Sequence, residues 1–370
     1  MKYFIVAGEP SGDLHAANLI SALKQEDATA EFRFWGGDKM QEAAGTAPLK
    51  HYRELAFMGF VEVVQNIGAI MGNLKLCKKQ IKEYRPDVVI LVDYPGFNLK
   101  IAKAAHYYGF KVFYYISPKI WAWKQRRVHD VKKYVDMMFT ILPFETDFYK
   151  KFGVEVQYIG NPLMDSILAY KEANEESKVP KGKPVIALLP GSRAQELRRI
   201  LPDMLSILPD FPGYSFVVAA TSALDREVYN EIIGTRSVHL VFDRPYDVLE
   251  HAEAALVTSG TATLETALLN IPQVVCYKAN QTSYNIAKRV VHIKYISLVN
   301  LVLDREAVRE LIQNDLNTAN LKTELHAIVK GGSKREKMLE DYAELRKLIG
   351  GPGASERAAK LMVKYLRPAE

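Results

Sequence analysis

The chain has 370 residues, 48% of them hydrophobic and 25% charged, with a formal net charge of +6. That length exceeds one ordinary hydrophobic core and sets two domains as the prior, while the composition is that of a globular chain. The mild positive charge favours anionic partners such as phosphates or acidic lipid and gives by itself no sign of nucleic acid.

Two cysteines, Cys77 and Cys276, form neither a disulfide framework nor a metal-ligand spacing, so a reduced, cytosolic protein is expected. Residues 1–6 lack the long apolar region of a signal peptide. No run reaches the roughly 20 apolar residues that span a bilayer.

In chain order, the pattern alternates. Residues 3–7 read as a buried strand, and Gly8-Glu9-Pro10-Ser11-Gly12-Asp13 as a turn into a helix beginning near Leu14. Gly8 and Gly12 free the backbone, while Ser11 and Asp13 can cap a helix or bond a ligand. No Lys-Ser/Thr follows, and the three-glycine dinucleotide fingerprint is missing, which weakens ATP and NAD readings. Further strands are expected at 32–35, 86–93, 111–116 and 137–142, with helical patterns between them. Such alternation predicts a parallel, doubly wound sheet, whose ligands gather beyond the carboxyl ends of its strands. Segments 8–13, 93–98 and 117–127 lie there.

Asp93 ends an apolar run, where a carboxylate has a raised pKa suited to a general base, although a turn or capping aspartate is the commoner role. His15, one turn into the first helix, reads more naturally as a packed or solvated histidine than as a catalytic one. Segment 117–127 holds two of the three tryptophans beside four cations, a combination that suits sugar rings and phosphates, nucleic acid or an interface. Between 57 and 76, apolar residues recur at helical spacing and four lysines follow. That stretch is either a core helix or a helix lying on an anionic bilayer.

Residues 170–184 shift to Lys, Glu, Ser, Asn, Pro and Gly and read as a linker. A strand at 185–189 opens a second α/β unit, followed by Pro190-Gly191-Ser192-Arg193. Arg193 is placed for a phosphate clamp or for a surface ion pair. More strands are expected at 215–219, 237–241, 254–257 and 273–277. The strand at 254–257 leads into Ser259-Gly260-Thr261-Ala262-Thr263-Leu264-Glu265 and a helix. Ser259 or Thr261 can cap that helix, Gly260 lets backbone approach a ligand, and the free N–H groups suit a diphosphate. Glu265 is positioned to accept ribose hydroxyls. An ordinary capped helix is an equally common use of this pattern.

Asn300 stands inside an apolar run at 295–301. Helices at 334–349 and 356–366 close the chain around Gly350-Gly351-Pro352-Gly353, and the last is expected to pack back across the first domain. The expected division is 1–168, a linker at 169–184, 185–349, and a terminal helix within 354–370.

Two doubly wound Rossmann-like domains with ligand loops facing a cleft form the GT-B arrangement of nucleotide-sugar glycosyltransferases. The first glycine loop, Asp93-Tyr94-Pro95-Gly96-Phe97-Asn98, Ser117-Pro118-Lys119-Ile120-Trp121-Ala122-Trp123, Leu189-Pro190-Gly191-Ser192-Arg193 and the 259–265 segment occur in the order seen in lipid-A-disaccharide synthases. The chain resembles that family over nearly its whole length.

The resemblance implies an inverting transfer of 2,3-diacylglucosamine from UDP to the 6-hydroxyl of 2,3-diacylglucosamine 1-phosphate. It implies Asp93 as catalytic, with Glu9, Ser11 and Asp13 beside it on the acceptor side. Arg193, Ser259, Gly260, Thr261, Glu265 and Asn300 would hold UDP on the donor side. Gly96 stands where some relatives carry a second aspartate, and Pro10 replaces other small residues.

No Asp-X-Asp pair of the kind that holds Mg²⁺ against UDP is present, and no cofactor is expected. Arg193 and a helix N-terminus supply the positive charge instead. Two acyl chains on each substrate imply a peripheral protein on the cytoplasmic, anionic face of the inner membrane, with no nucleic-acid partner. A homodimer that exchanges terminal helices is open. The alternatives are another GT-B enzyme acting on a UDP-sugar, such as an epimerase or a peptidoglycan glycosyltransferase, and a non-catalytic nucleotide-sugar or lipid-binding module.

Overall fold

The computed structural model describes residues 1–55, 67–291 and 293–367. It divides into two compact units, Met1–Asp165 with Gly351–Glu370, and Ser166–Gly350. The first half of the 57–76 stretch lies outside the described residues.

The first unit is built on strands β1 (Lys2–Ala7), β2 (Glu31–Gly36), β3 (Lys50–His51), β4 (Val88–Val92), β5 (Lys111–Tyr115), β6 (Met137–Thr140) and β7 (Gln157–Tyr158). They form one sheet in the order β3-β2-β1-β4-β5-β6-β7, with every pairing parallel. Ile5 sits level with Phe34 on one side and Ile90 on the other. Strand side chains alternate between two cores. Tyr3, Ile5, Ala7 and Ile90 join one, while Phe4, Val6, Val89 and Leu91 join the other. A sheet covered on both faces explains why these strands read as continuous apolar runs.

The second unit repeats the plan with β8 (Val185–Leu189), β9 (Ser215–Ala220), β10 (His239–Phe242), β11 (Ala252–Thr258), β12 (Gln273–Tyr277) and β13 (Arg309–Ile312). Its all-parallel order is β10-β9-β8-β11-β12-β13. In both sheets the order reverses direction once, between β1 and β4 and between β8 and β11. Chain leaving those strands diverges to opposite faces there and opens a crevice beyond their carboxyl ends.

Three edge strands, β3, β7 and β13, were not expected from the sequence. Two of them span only two residues each, too short to show an alternation. The first helix begins at Pro10, not near Leu14, with Glu9 at its N-cap. The division also falls earlier than the linker composition suggests. Tyr170 donates to Glu250 at 2.9 Å and the Lys178 N–H to Asp247 at 2.8 Å, while Val179 is buried in the second unit's core. These contacts fasten the polar stretch to the second unit.

The closing helix, Ala354–Leu366, returns to the first unit and packs on the helix Pro10–Glu26. Ala354, Ala358, Ala359 and Met362 are fully buried beside Ala16, Leu19 and Ile20; alanines on both faces let the two helices approach closely. Its N-terminus is held by Asp165, which accepts the N–H groups of Gly353 and Ala354, and Ser355 bonds the hydroxyl of Tyr115 at 3.1 Å.

Emptying one fully buried side chain from this contact, Met362→Ala, should cost about 2–5 kcal/mol. A lower urea or thermal midpoint checks this; an unchanged midpoint would mean the helix contributes nothing to the first unit's stability.

Candidate active sites at the two strand-order reversals

The first site is assembled from chain leaving β1, β4, β5 and β6. Gly8 lies against the Tyr94 ring, where an added Cβ would fall 2.4 Å from a ring carbon. Only glycine lets the β1 and β4 loops touch there. Asp93 and Tyr94 both occupy the left-handed region, at φ 42° and 46°, and Ile116 at the end of β5 does so at 65°. For a β-branched residue that is a true outlier, and consecutive left-handed residues are strained.

The strain is held by clamps on the Asp93 carbonyl, which accepts the Tyr114 hydroxyl at 2.5 Å and Asn98 Nδ2 at 2.9 Å. The Asp93 N–H donates across to the carbonyl of Tyr115. Burial pushes the Asp93 carboxyl up to about 6, with Glu9 pushing the same way and Lys119 and the Tyr94 N–H opposing. Glu9 and Lys119 are therefore electrostatic neighbours of Asp93, and Ser11 is exposed in the first helical turn.

Asp13 plays a different part from the one expected. It is 3% exposed, and its carboxylate accepts the N–H groups of Gly37 at 2.7 Å, Lys39 at 3.1 Å and Met40 at 3.2 Å. It caps the helix Asp38–Ala44 from outside and has a structural, not a catalytic, set of partners. His15 is pushed down to about 4 by burial and the charge of Lys39, in keeping with a neutral packed ring.

Segment 117–127 crosses the ends of β5 and β6. Trp121 is buried, and its indole N–H donates to Glu145 at 3.1 Å. The same carboxylate accepts the N–H groups of Ile141 and Leu142 at 3.1 and 3.0 Å. Burial lifts Glu145 to about 7 against those donors. Trp123 is 41% exposed, with Lys124 Nζ 4.3 Å from its ring centroid and Arg127 5.8 Å away.

The second site lies beyond β8 and β11. Arg193 is the N-cap of the helix Ala194–Leu205 and forms an exposed pair with Glu196 at 3.3 Å. Gly191 has φ 102°, and a Cβ there would meet Glu196 at 2.6 Å.

Neither Ser259 nor Thr261 caps the helix Thr261–Leu268, which was the expectation. The N-cap is Gly260, with no side-chain bond to the helix and open space where a Cβ would stand. Ser259 instead donates to the carbonyl of Ile296 at 2.9 Å. Glu265 accepts the Tyr246 hydroxyl at 2.7 Å, and burial raises its pKa.

Asn300, expected against UDP, is fully buried. Its Nδ2 donates to the Val308 carbonyl and to Glu310, and its Oδ1 accepts the N–H groups of Ala307 and Val308. Glu310 in turn accepts the N–H groups of Ile296 and Ser297. The side chain thus braces the loop that holds Ser259, with no hydrogen-bonding capacity left for a ligand.

Sequence reading missed Glu145, Tyr114, Tyr246 and Glu310. Only Glu145 had a visible signal, an acid at the third position of a helix opened by Pro143.

A family model of lipid-A-disaccharide synthetase matches residues 3–364. The lipid-A-disaccharide synthase of Myxococcus xanthus (strain DK1622) is 38% identical, with 99% of this chain and 98% of that protein covered. That of Syntrophus aciditrophicus (strain SB) is 36% identical over the same shares.

Among solved structures, UDP-GlcNAc 2-epimerase from Neisseria meningitidis bound to UDP-GlcNAc superposes with a TM-score of 0.64 at 14% identity, covering 98% of this chain and all of that one. The glycotransferase of kitacinnamycin gives 0.68 at 15%, covering 99% of each chain. At such identities the structural likeness shows the GT-B type of fold alone. The family match along almost the whole chain shows more: the protein belongs to the lipid-A-disaccharide synthetase family.

Proposed function

We propose that this glycosyltransferase moves 2,3-diacylglucosamine from UDP to the 6-hydroxyl of 2,3-diacylglucosamine 1-phosphate, releasing UDP. The observation that carries the reading is the pairing of site types. An acid with a raised pKa stands at one strand-order reversal. A cation and an uncapped helix N-terminus stand at the other.

In the step, the 6-hydroxyl oxygen bonds to the anomeric carbon as the bond from that carbon to the diphosphate oxygen breaks. The hydroxyl proton passes to Asp93, and the bonding electrons leave on the diphosphate. Asp93 is the general base, with Glu9 and Ser11 on the acceptor side. Arg193 and the N–H groups of the Thr261–Leu268 helix offset the charge that develops on the leaving group. Tyr246 holds Glu265 Oε1, and we assign Oε2 to a ribose hydroxyl.

UDP release measured with both acylated sugars tests this. Asp93→Asn should lower kcat by about 10²–10⁴-fold while leaving UDP affinity in place; turnover within a few-fold of the parent would require another base. A base acts only when ionised, so kcat/KM of the parent should fall as pH drops through about 6, where Asp93 takes up its proton.

Turnover should also persist in a chelator, because Arg193 and the helix N-terminus supply the positive charge. Activity abolished by chelator and restored by Mg²⁺ would contradict that.

Among the described residues no helix is long and apolar enough to cross a membrane. We propose contact with an anionic bilayer through the helix Ile67–Tyr84. Its Leu74, Cys77 and Ile81 are buried, while Ile67 and Met71 are 63% and 57% exposed, beside exposed Lys75, Lys79 and Lys82. An apolar outer edge with cations suits an interfacial helix. Ile67→Ser with Met71→Ser should weaken sedimentation with anionic vesicles and leave UDP affinity unchanged; equal loss of both would refute a membrane face.

A further inference from the structure

Glu145 is 1% exposed and accepts three N–H groups, from Trp121, Ile141 and Leu142. Its neighbour Phe144 presses edge-on to the Trp121 indole at 4.9 Å and 90°. The indole is thus gripped by two consecutive residues of the helix Pro143–Lys150. That grip fixes loop 117–123, which leaves β5 directly beside the end of β4. The Asp93 N–H donates to Tyr115 there, and the Ser117 N–H donates to Phe139 of β6. Lys119, exposed on this loop, is one of the charges felt by the Asp93 carboxyl.

We propose that Glu145 is a positioning residue for the transfer: by tying the Trp121 indole to the turn after β6, it sets loop 117–123, and Lys119 with it, against Asp93. No atom of Glu145 need touch substrate. Its effect passes through Trp121, and through Ser117 whose side chain also bonds Glu145, to the loop, and through the loop to the base. Charged or titratable groups facing Asp93 are Lys119, Glu9, Tyr94 and Tyr114. Of these only Lys119 rides on the loop, so release of the loop removes a cation and leaves the others in place. Losing a cation raises the pKa of a carboxyl.

The inference rests on the transfer reaction proposed above, and Trp121→Phe is the deciding variant. It keeps an aromatic ring beside Phe144 and removes the indole N–H with the five-membered ring, while the Ile141 and Leu142 N–H groups keep Glu145 as their acceptor. The expected result is a fall in kcat of roughly ten-fold or more, with little change in KM for the UDP-sugar and an acid limb displaced to higher pH. Glu145→Ala in that background should then lower kcat by less than it does in the parent, since contacts acting on one loop are not additive. Parent-like turnover with an unmoved acid limb overturns the proposal, and so do two substitutions whose effects multiply.

Glu145→Ala strips two backbone N–H groups of their acceptor and lowers the melting midpoint on that ground alone, which is why the indole variant decides. A readout free of catalysis separates this inference from the reaction itself. In a Trp123→Phe background without substrate, where only Trp121 and the fully buried Trp35 emit, Glu145→Ala should shift the combined emission to the red. Unchanged emission overturns the anchoring whatever the reaction, whereas an absence of UDP release from the parent protein overturns only the reaction.

Discussion

The carbonyl of Asp93 is the point on which the first site turns. Two successive residues in the left-handed region cost on the order of 1–3 kcal/mol each, and Asp93 and Tyr94 are both there. Each hydrogen bond to the carbonyl contributes about 0.5–1.5 kcal/mol net, so the bonds from Tyr114 and Asn98 offset part of this and no more. The remainder falls to packing. The Tyr94 ring is stacked at 5.7 Å on Phe97 and closes against Gly8.

That placement carries a cost in the direction catalysis needs. A carboxyl whose folded pKa lies above its unfolded one stabilises the fold only while protonated. The folded state therefore gives up stability as pH rises from about 4 through the folded value of about 6. Raising a carboxyl that far takes roughly 3 kcal/mol, and this is the free energy of holding an ionised base among apolar strand ends. Glu9 adds to it and Lys119 relieves it. A base near 6 is mostly ionised at neutral pH and still accepts a proton more readily than a solvated aspartate.

The sheets were legible in the sequence because buried parallel strands are apolar on both faces, and β1, β4, β5, β8, β11 and β12 all read as such runs. The loops were legible because glycine, proline and small polar residues follow them. What the sequence could not express was which lone pairs the fold itself would use. Asp13 and Asn300 look like ligand residues because their chemistry suits a ligand, yet both are buried and bonded to backbone groups. Ser259 looked like a helix cap and instead bonds a carbonyl 37 positions away. Tyr246 and Glu310 gave no local sign because their partners are distant in the chain.

Buried acceptors divide along that line. Asp13, Glu145 and Asn300, with the half-buried Asp165, satisfy backbone N–H groups that would otherwise be orphaned, and an unsatisfied buried N–H costs about 1–3 kcal/mol. They sit behind the loops and fix them. Asp93 and Glu265 are raised by burial yet lack such a set of backbone donors, so their carboxylates keep capacity for a hydroxyl from outside. A fold that braces its loops with saturated carboxylates can leave one or two unsaturated ones at the crevice without losing the loops that carry them. The number of N–H groups aimed at an acid separates scaffold from site, for Glu145 accepts three while half-buried Asp93 takes one, from Tyr94.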